Sequence, residues 1–176
     1  MYKYVDVPAK YFSLIESDID YIRSRIEKTD DDLNQNYTRE RYYKEEILFA
    51  SIIYMNDEPF EASTVVARKE WNNGCRVLNR IMVVPELRKG NTYVPDTVLT
   101  MLKSQIEFAK TKFDYAFISR QFNTYKFVKK FAKDVGNNWQ YETNKYLVCK
   151  NGSGCEQYIA WKSFKDLKKL PLTRAN

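Results

Sequence analysis

A chain of 176 residues with 44% hydrophobic content can bury one sizeable core, and no Pro-, Gly- or Ser-rich linker divides it, so one domain over residues 1–176 is expected. Three cysteines without metal-ligand spacing and a complete lack of histidine argue against a disulfide frame or a zinc site, and exclude hydrolases that rely on an imidazole base. The formal charge of +6 is uneven: residues 1–64 carry 8 basic against 14 acidic side chains, residues 65–176 carry 21 against 9, so the two parts offer different partners.

The N-terminus lacks a basic stretch followed by an apolar run, and no window of about 18 apolar residues occurs. A cytoplasmic protein with no membrane partner is expected. Residues 2–7 read as a first strand that Pro8 breaks. Phe12, Ile15, Ile19, Ile22 and Ile26 then recur at 3,4 spacing, one apolar stripe of a helix that packs on a sheet. The acidic run at 30–32 ends it, and residues 34–46 read as a loop or a second helix.

Residues 47–54 are almost continuously apolar, 56–59 (Asn-Asp-Glu-Pro) form a turn, and 60–67 are β-branched and apolar, which predicts a hairpin. A turn at 71–74 leads into a third strand at 76–84 that stops at Pro85. Val98, Leu102, Ile106 and Ala109 then predict a helix over 97–112, with Pro95 and Asp96 where a first turn tolerates them.

A strand at 114–119 follows, and next an amphipathic helix over 123–135 whose polar face carries Lys126, Lys129, Lys130 and Lys133. Residues 136–138 cap it. Two strands at 140–149 and 155–161, joined by a turn at 151–154, form a last hairpin, and 163–170 reads as a short terminal helix.

This order, with LNRIMVVPELRKG at residues 78–90, resembles the GNAT superfamily of N-acetyltransferases, whose fourth strand commonly ends V-x-P-x-x-R before a Gly-rich loop. Val83, Pro85 and Arg88 fall on that pattern. The resemblance implies an α/β (mixed α+β) fold: a mostly antiparallel, twisted sheet of six to seven strands flanked by helices. It also implies acetyl-CoA as co-substrate, without a metal, held where the fourth and fifth strands splay apart.

By the same resemblance, main-chain groups of Met82, Val83 and Val84 pair with pantetheine. Amides of Arg88, Lys89, Gly90, Asn91 and Thr92 hold the pyrophosphate. Amides projecting from a tight loop at a helix N-terminus supply several donors and a favourable dipole for a diphosphate, and Arg88 adds charge-assisted bonds. The chain departs from the family pattern here: glycine arrives one position early, and Tyr93 replaces the second small residue.

Acetyl transfer to an amine needs a neutral nucleophile, a polarised thioester carbonyl and a proton for the departing thiolate. Where the family often places a glutamate on the fourth strand, this chain has Arg80, which cannot be a base at neutral pH. Asn123 and Gly136 match the ends of the family's N-x-x-A…Y-x-x-x-G pattern, and Asn123 joins the implied cofactor contacts. Phe131 and Ala132 stand where its tyrosine is expected, so Tyr125 is the remaining proton donor on that helix.

Two readings stay open. In one, the chain acetylates a primary amine of a small molecule or protein, and its acidic N-terminal part attracts the amine. In the other, it is a non-catalytic GNAT-like binding module whose basic helix, with Phe122 and Tyr125, contacts nucleic acid. The last strands of this fold often pair subunits, so the resemblance also implies a homodimer.

Overall fold

The structure, a computed structural model, describes residues 2–29, 37–71, 73–88, 95–119, 140–143 and 156–160. For residues 87–88, 95–96, 117–119, 140–143 and 156–160 only the main chain is described. Strand β1 (Tyr2–Pro8) leads through a 3-10 segment (Ala9–Leu14) into α1 (Glu16–Glu27), and a single-turn α2 (Arg39–Tyr42) follows. Then come β2 (Ile47–Met55), β3 (Glu58–Val66), β4 (Gly74–Val83), α3 (Pro95–Lys112) and β5 (Tyr115–Ser119), with β6 (Gln140–Thr143) and β7 (Glu156–Ala160) closing the order.

The seven strands among the described residues make one sheet in the order β1-β2-β3-β4-β5-β7-β6. Every neighbouring pair is antiparallel except β4 and β5, which run parallel. A parallel pair needs a crossover, and α3 supplies it. The last two expected strands pair antiparallel, and β7 rather than β6 lies against β5; the turn expected at 151–154 and the helices expected over 123–135 and 163–170 lie outside the described residues.

Phe12 is a correction to the predicted helical stripe. It belongs to the 3-10 segment, not to α1, because the chain is wound more tightly over Ala9–Leu14 before Ile15 opens the α-helix. From Ile15 onward the stripe is as expected, with Ile19, Ile22 and Ile26 fully buried, each contributing roughly 1.5–3 kcal/mol of apolar burial. The 34–46 region contains α2, whose Thr38 side chain caps it by accepting from the Arg41 N–H at 3.4 Å.

Strand alternation assigns the helices to faces. Tyr4 pairs with Ile53 across β1 and β2, so Tyr54, the next residue along, points to the opposite side. The Tyr4 hydroxyl donates to the Thr97 carbonyl of α3 at 2.9 Å, and the Tyr54 hydroxyl donates to Asp18 of α1 at 2.6 Å. Helices α1 and α3 therefore cover opposite faces. Val98, Met101, Leu102, Ile106 and Ala109 of α3 are all buried.

Candidate functional site

The site begins where β4 leaves β5. The two strands pair through Gly74 with Tyr115, Cys75 with Ala116 and Arg76 with Phe117; no further pair joins them among the described residues. Beyond Phe117, β5 continues to Ser119 paired with β7, while β4 continues to Val83 paired with β3. A gap opens between strands that started as neighbours.

Two irregularities in β4 follow directly on its last pair with β5. Its register with β3 shifts between Ala62 and Thr64 and again between Thr64 and Val66, and Leu78 and Arg80 both have φ near +49°. Left-handed backbone is uncommon for residues with a Cβ, and bulged strands bend and twist more strongly. Asn79, between the two, is anchored to β3 by its side-chain amide, which donates to Thr64 Oγ1 at 3.1 Å.

Past the bulges the regular ladder resumes. The Val84 N–H donates to the Phe60 carbonyl at 2.9 Å, and Val83 faces Glu61, so by alternation the main-chain groups of Val83 turn away from β3. Met82, Val83 and Val84 all have buried side chains. They lie along the β4 side of the gap. Arg88 ends a 3-10 turn (Pro85–Arg88) directly after it. Lys89, Gly90, Asn91, Thr92, Asn123 and Tyr125 lie outside the described residues.

Arg80 is half-buried and faces α2. Burial lowers its affinity for its proton, and Glu45, Tyr37 and Tyr42, all within electrostatic range, oppose that. Nearby, the Tyr37 hydroxyl donates to the Ile81 carbonyl at 3.3 Å, and the buried Tyr42 hydroxyl has no hydrogen-bond partner among the described residues. A desolvated charge on left-handed backbone beside a strand opening has the marks of a functional position. Its sequence signal is a basic residue inside an otherwise apolar strand.

Several acids of the N-terminal part are engaged within the fold. Asp20 accepts from Arg23 at 3.0 Å, from Tyr43 at 2.8 Å and from Arg39 at 2.5 Å; despite the upward pull of burial, these bonds hold its carboxyl below the usual range. Glu45 is bound by Arg68 and lies within electrostatic range of Arg76 and Arg80. The polar surroundings of Glu45 beside β4 are thus guanidinium-rich.

On the α3 face, two buried polar residues escaped the sequence reading. Glu61 is 0% exposed; burial raises its pKa to about 7, opposed by a 2.8 Å hydrogen bond from Thr97 Oγ1 to Oε2. Gln105, also 0% exposed, donates to Ser63 and Ser51 and accepts from the Leu78 N–H. Glu61 as the one charged residue of the run 60–67, and Gln105 within the apolar stripe of α3, were the available clues. Cys75 is buried and free, and burial pushes its thiol up, away from thiolate chemistry.

Among the described residues no group of three or more potential ligands could hold a metal ion, and no helix is long and apolar enough to cross a membrane.

No family model matches the chain, and no curated protein matches it. Solved structures do. The fold is similar to that of Escherichia coli ElaA, with a TM-score of 0.59 at 12% identity over 90% of this chain and 99% of that one. It is similar to an acyl-CoA N-acyltransferase from Pseudomonas aeruginosa, with a TM-score of 0.57 at 6% identity over 90% and 98% of the two chains. The acyl-homoserine lactone (AHL) synthase LasI matches with a TM-score of 0.57 at 6% identity over 92% and 91%. The chain has the GNAT fold.

Proposed function

We infer that this protein is an acyltransferase that takes an acetyl group from acetyl-CoA and moves it to a primary amine. The observation that carries this reading is the parting of β4 from β5 immediately after Arg76 and Phe117, with the Val83 main chain farther along β4 turned away from β3. That is where the family resemblance puts pantetheine. The acyl-CoA N-acyltransferase and the AHL synthase among the similar structures support acyl transfer as the class of chemistry.

In this reading the amine nitrogen attacks the thioester carbonyl carbon, the carbon–sulfur bond breaks, the amine loses a proton and the thiolate gains one. Arg80 contributes as a donor, not as a base. A guanidinium favours the negative charge that develops on the carbonyl oxygen, and holding the two reactants together supplies several kcal/mol of the remaining barrier. Tyr125 or water delivers the proton to the thiolate.

Calorimetric titration with CoA and acetyl-CoA tests the reading, followed by thiol release with a panel of small amines and peptide N-termini. Binding near micromolar strength, about −8 kcal/mol, is expected. It should weaken in Arg88→Ala and be lost in Gly90→Asp, which sets a carboxylate against the diphosphate. Absence of binding by the wild type overturns the reading; binding with no turnover on any amine favours a non-catalytic module.

A further inference from the structure

A buried side chain on α3 holds the bulge at which the donor slot opens. Gln105 Oε1 accepts the main-chain N–H of Leu78 at 2.7 Å, and Leu78, at φ +49°, is two residues beyond Arg76, the last residue of β4 paired with β5. In a regular strand that N–H would enter a ladder. Here the left-handed backbone turns it to a side chain, and a buried N–H must find some acceptor.

The other end of the amide is held equally firmly. Gln105 Nε2 donates to Ser63 Oγ at 2.8 Å and to Ser51 Oγ at 3.1 Å. These serines are cross-strand partners in β2 and β3, and Ser63 Oγ also contacts Met101 Sδ at 3.4 Å. Gln105, Ser51 and Ser63 are each 0% exposed. One amide thus ties three adjacent strands to α3, with both of its polar ends satisfied.

A purely structural glutamine would only need to fill the core, and leucine or methionine would do that without the cost of burying an amide. What an apolar residue cannot do is accept from Leu78. We propose that Gln105 is a positioning residue for the acyl donor: it locks the Leu78 bulge and so keeps β4 turned away from β5 where the thioester arm enters. This rests on the acyl-CoA reading above. A locked slot binds its ligand without first paying to order it.

The test compares Gln105→Met, which keeps the volume and loses the acceptor, with Gln105→Glu, which keeps an acceptor oxygen and is assayed at pH 5.5, where a buried carboxyl retains its proton. Amide hydrogen exchange is read by NMR and CoA affinity by calorimetry. In Gln105→Met the Leu78 amide should exchange at least tenfold faster and CoA should bind at least tenfold more weakly, while the Ile52 amide in β2 stays protected. Gln105→Glu should bring both to within about threefold of wild type. Ser63→Ala, a milder change that removes the 2.8 Å contact, should move both in the same direction by less.

An unaltered Leu78 amide in Gln105→Met overturns the lock. So does faster exchange spread evenly over β2 and β4, which is general loosening, and so does selective loss at Leu78 with CoA affinity unchanged. Wild-type protein that takes up no CoA overturns the acyl-donor reading instead, and the exchange data then still decide whether the bulge is held by Gln105.

Discussion

Thr97, the third residue of α3, donates a 2.8 Å hydrogen bond to Glu61 Oε2, and Glu61 Oε1 in the same fully buried carboxyl has no hydrogen-bond partner among the described residues. An ionised carboxylate there would keep one desolvated oxygen with no donor. Burial accordingly raises the pKa to about 7 from 4.5.

Stability should therefore fall as pH rises. A folded-state pKa above the unfolded value means that the native protein holds the proton more tightly. The benefit is complete below about pH 4.5 and is lost as pH climbs to about 7, an effect on the order of 3 kcal/mol. Thermal denaturation at pH 5, 6, 7 and 8 should show a decline that Glu61→Gln flattens, with the variant more stable than wild type at pH 8. An identical slope in both proteins would exclude Glu61 as its source.

Gly74→Ala should destabilise the closed end of the β4–β5 pair. A Cβ at Gly74 would collide with the ring of Tyr115, its partner across the parallel pair. That ring is buried, and its hydroxyl is held by the Trp71 carbonyl. It cannot move aside without breaking the bond. Overpacking of this kind costs roughly 1–3 kcal/mol, measurable by urea denaturation; a variant within 0.5 kcal/mol of wild type, about the scatter of neutral surface changes, would mean that the ring shifts freely.

Arg80→Met should lower turnover about a hundredfold while leaving CoA affinity within threefold. Loss of a charge-stabilising donor typically costs 10²–10³ in rate, and Arg80 faces α2 instead of contributing to the cofactor turn. Arg80→Lys should recover little, because an ammonium cannot reproduce the planar fork. Thiol release with any amine that the wild type accepts gives the measurement, and equal kcat in Arg80→Met would remove Arg80 from the chemistry.

Tyr125→Phe separates the two proton sources for the thiolate. If the phenol delivers the proton, kcat should fall at least tenfold, within the usual range for a general acid, with CoA binding unchanged. Full activity in the variant assigns the step to water.

Much of the architecture was legible because it is a local matter. The 3,4 spacing of Ile19, Ile22 and Ile26 and of Val98, Leu102, Ile106 and Ala109 reports which face of each helix is buried, and every one of these residues is buried in the fold. The three strands from β2 to β4 are antiparallel and consecutive, as their short turns require. The V-x-P-x-x-R pattern likewise marked the end of β4 at Val83.

Other features could not be read in this way. Gln105 sits in the same helical stripe as Leu102 and Ala109, and Glu61 sits within a β-branched apolar run; periodicity assigns both to the interior and leaves their partners unstated. Those partners lie far away in sequence: Leu78 is 27 residues from Gln105, Ser51 is 54, and Thr97 is 36 from Glu61. Left-handed backbone at Leu78 and Arg80 has no glycine to announce it.

Amino-acid order alone was enough to specify the described strands, the buried faces of α1 and α3 and the fold they resemble, because hydrophobic period and turn chemistry act over a few residues. The bulge in β4, the lone carboxyl under α3 and the guanidinium facing α2 exist only once distant segments pack together. A buried polar group must be satisfied by whatever that packing brings within hydrogen-bond reach.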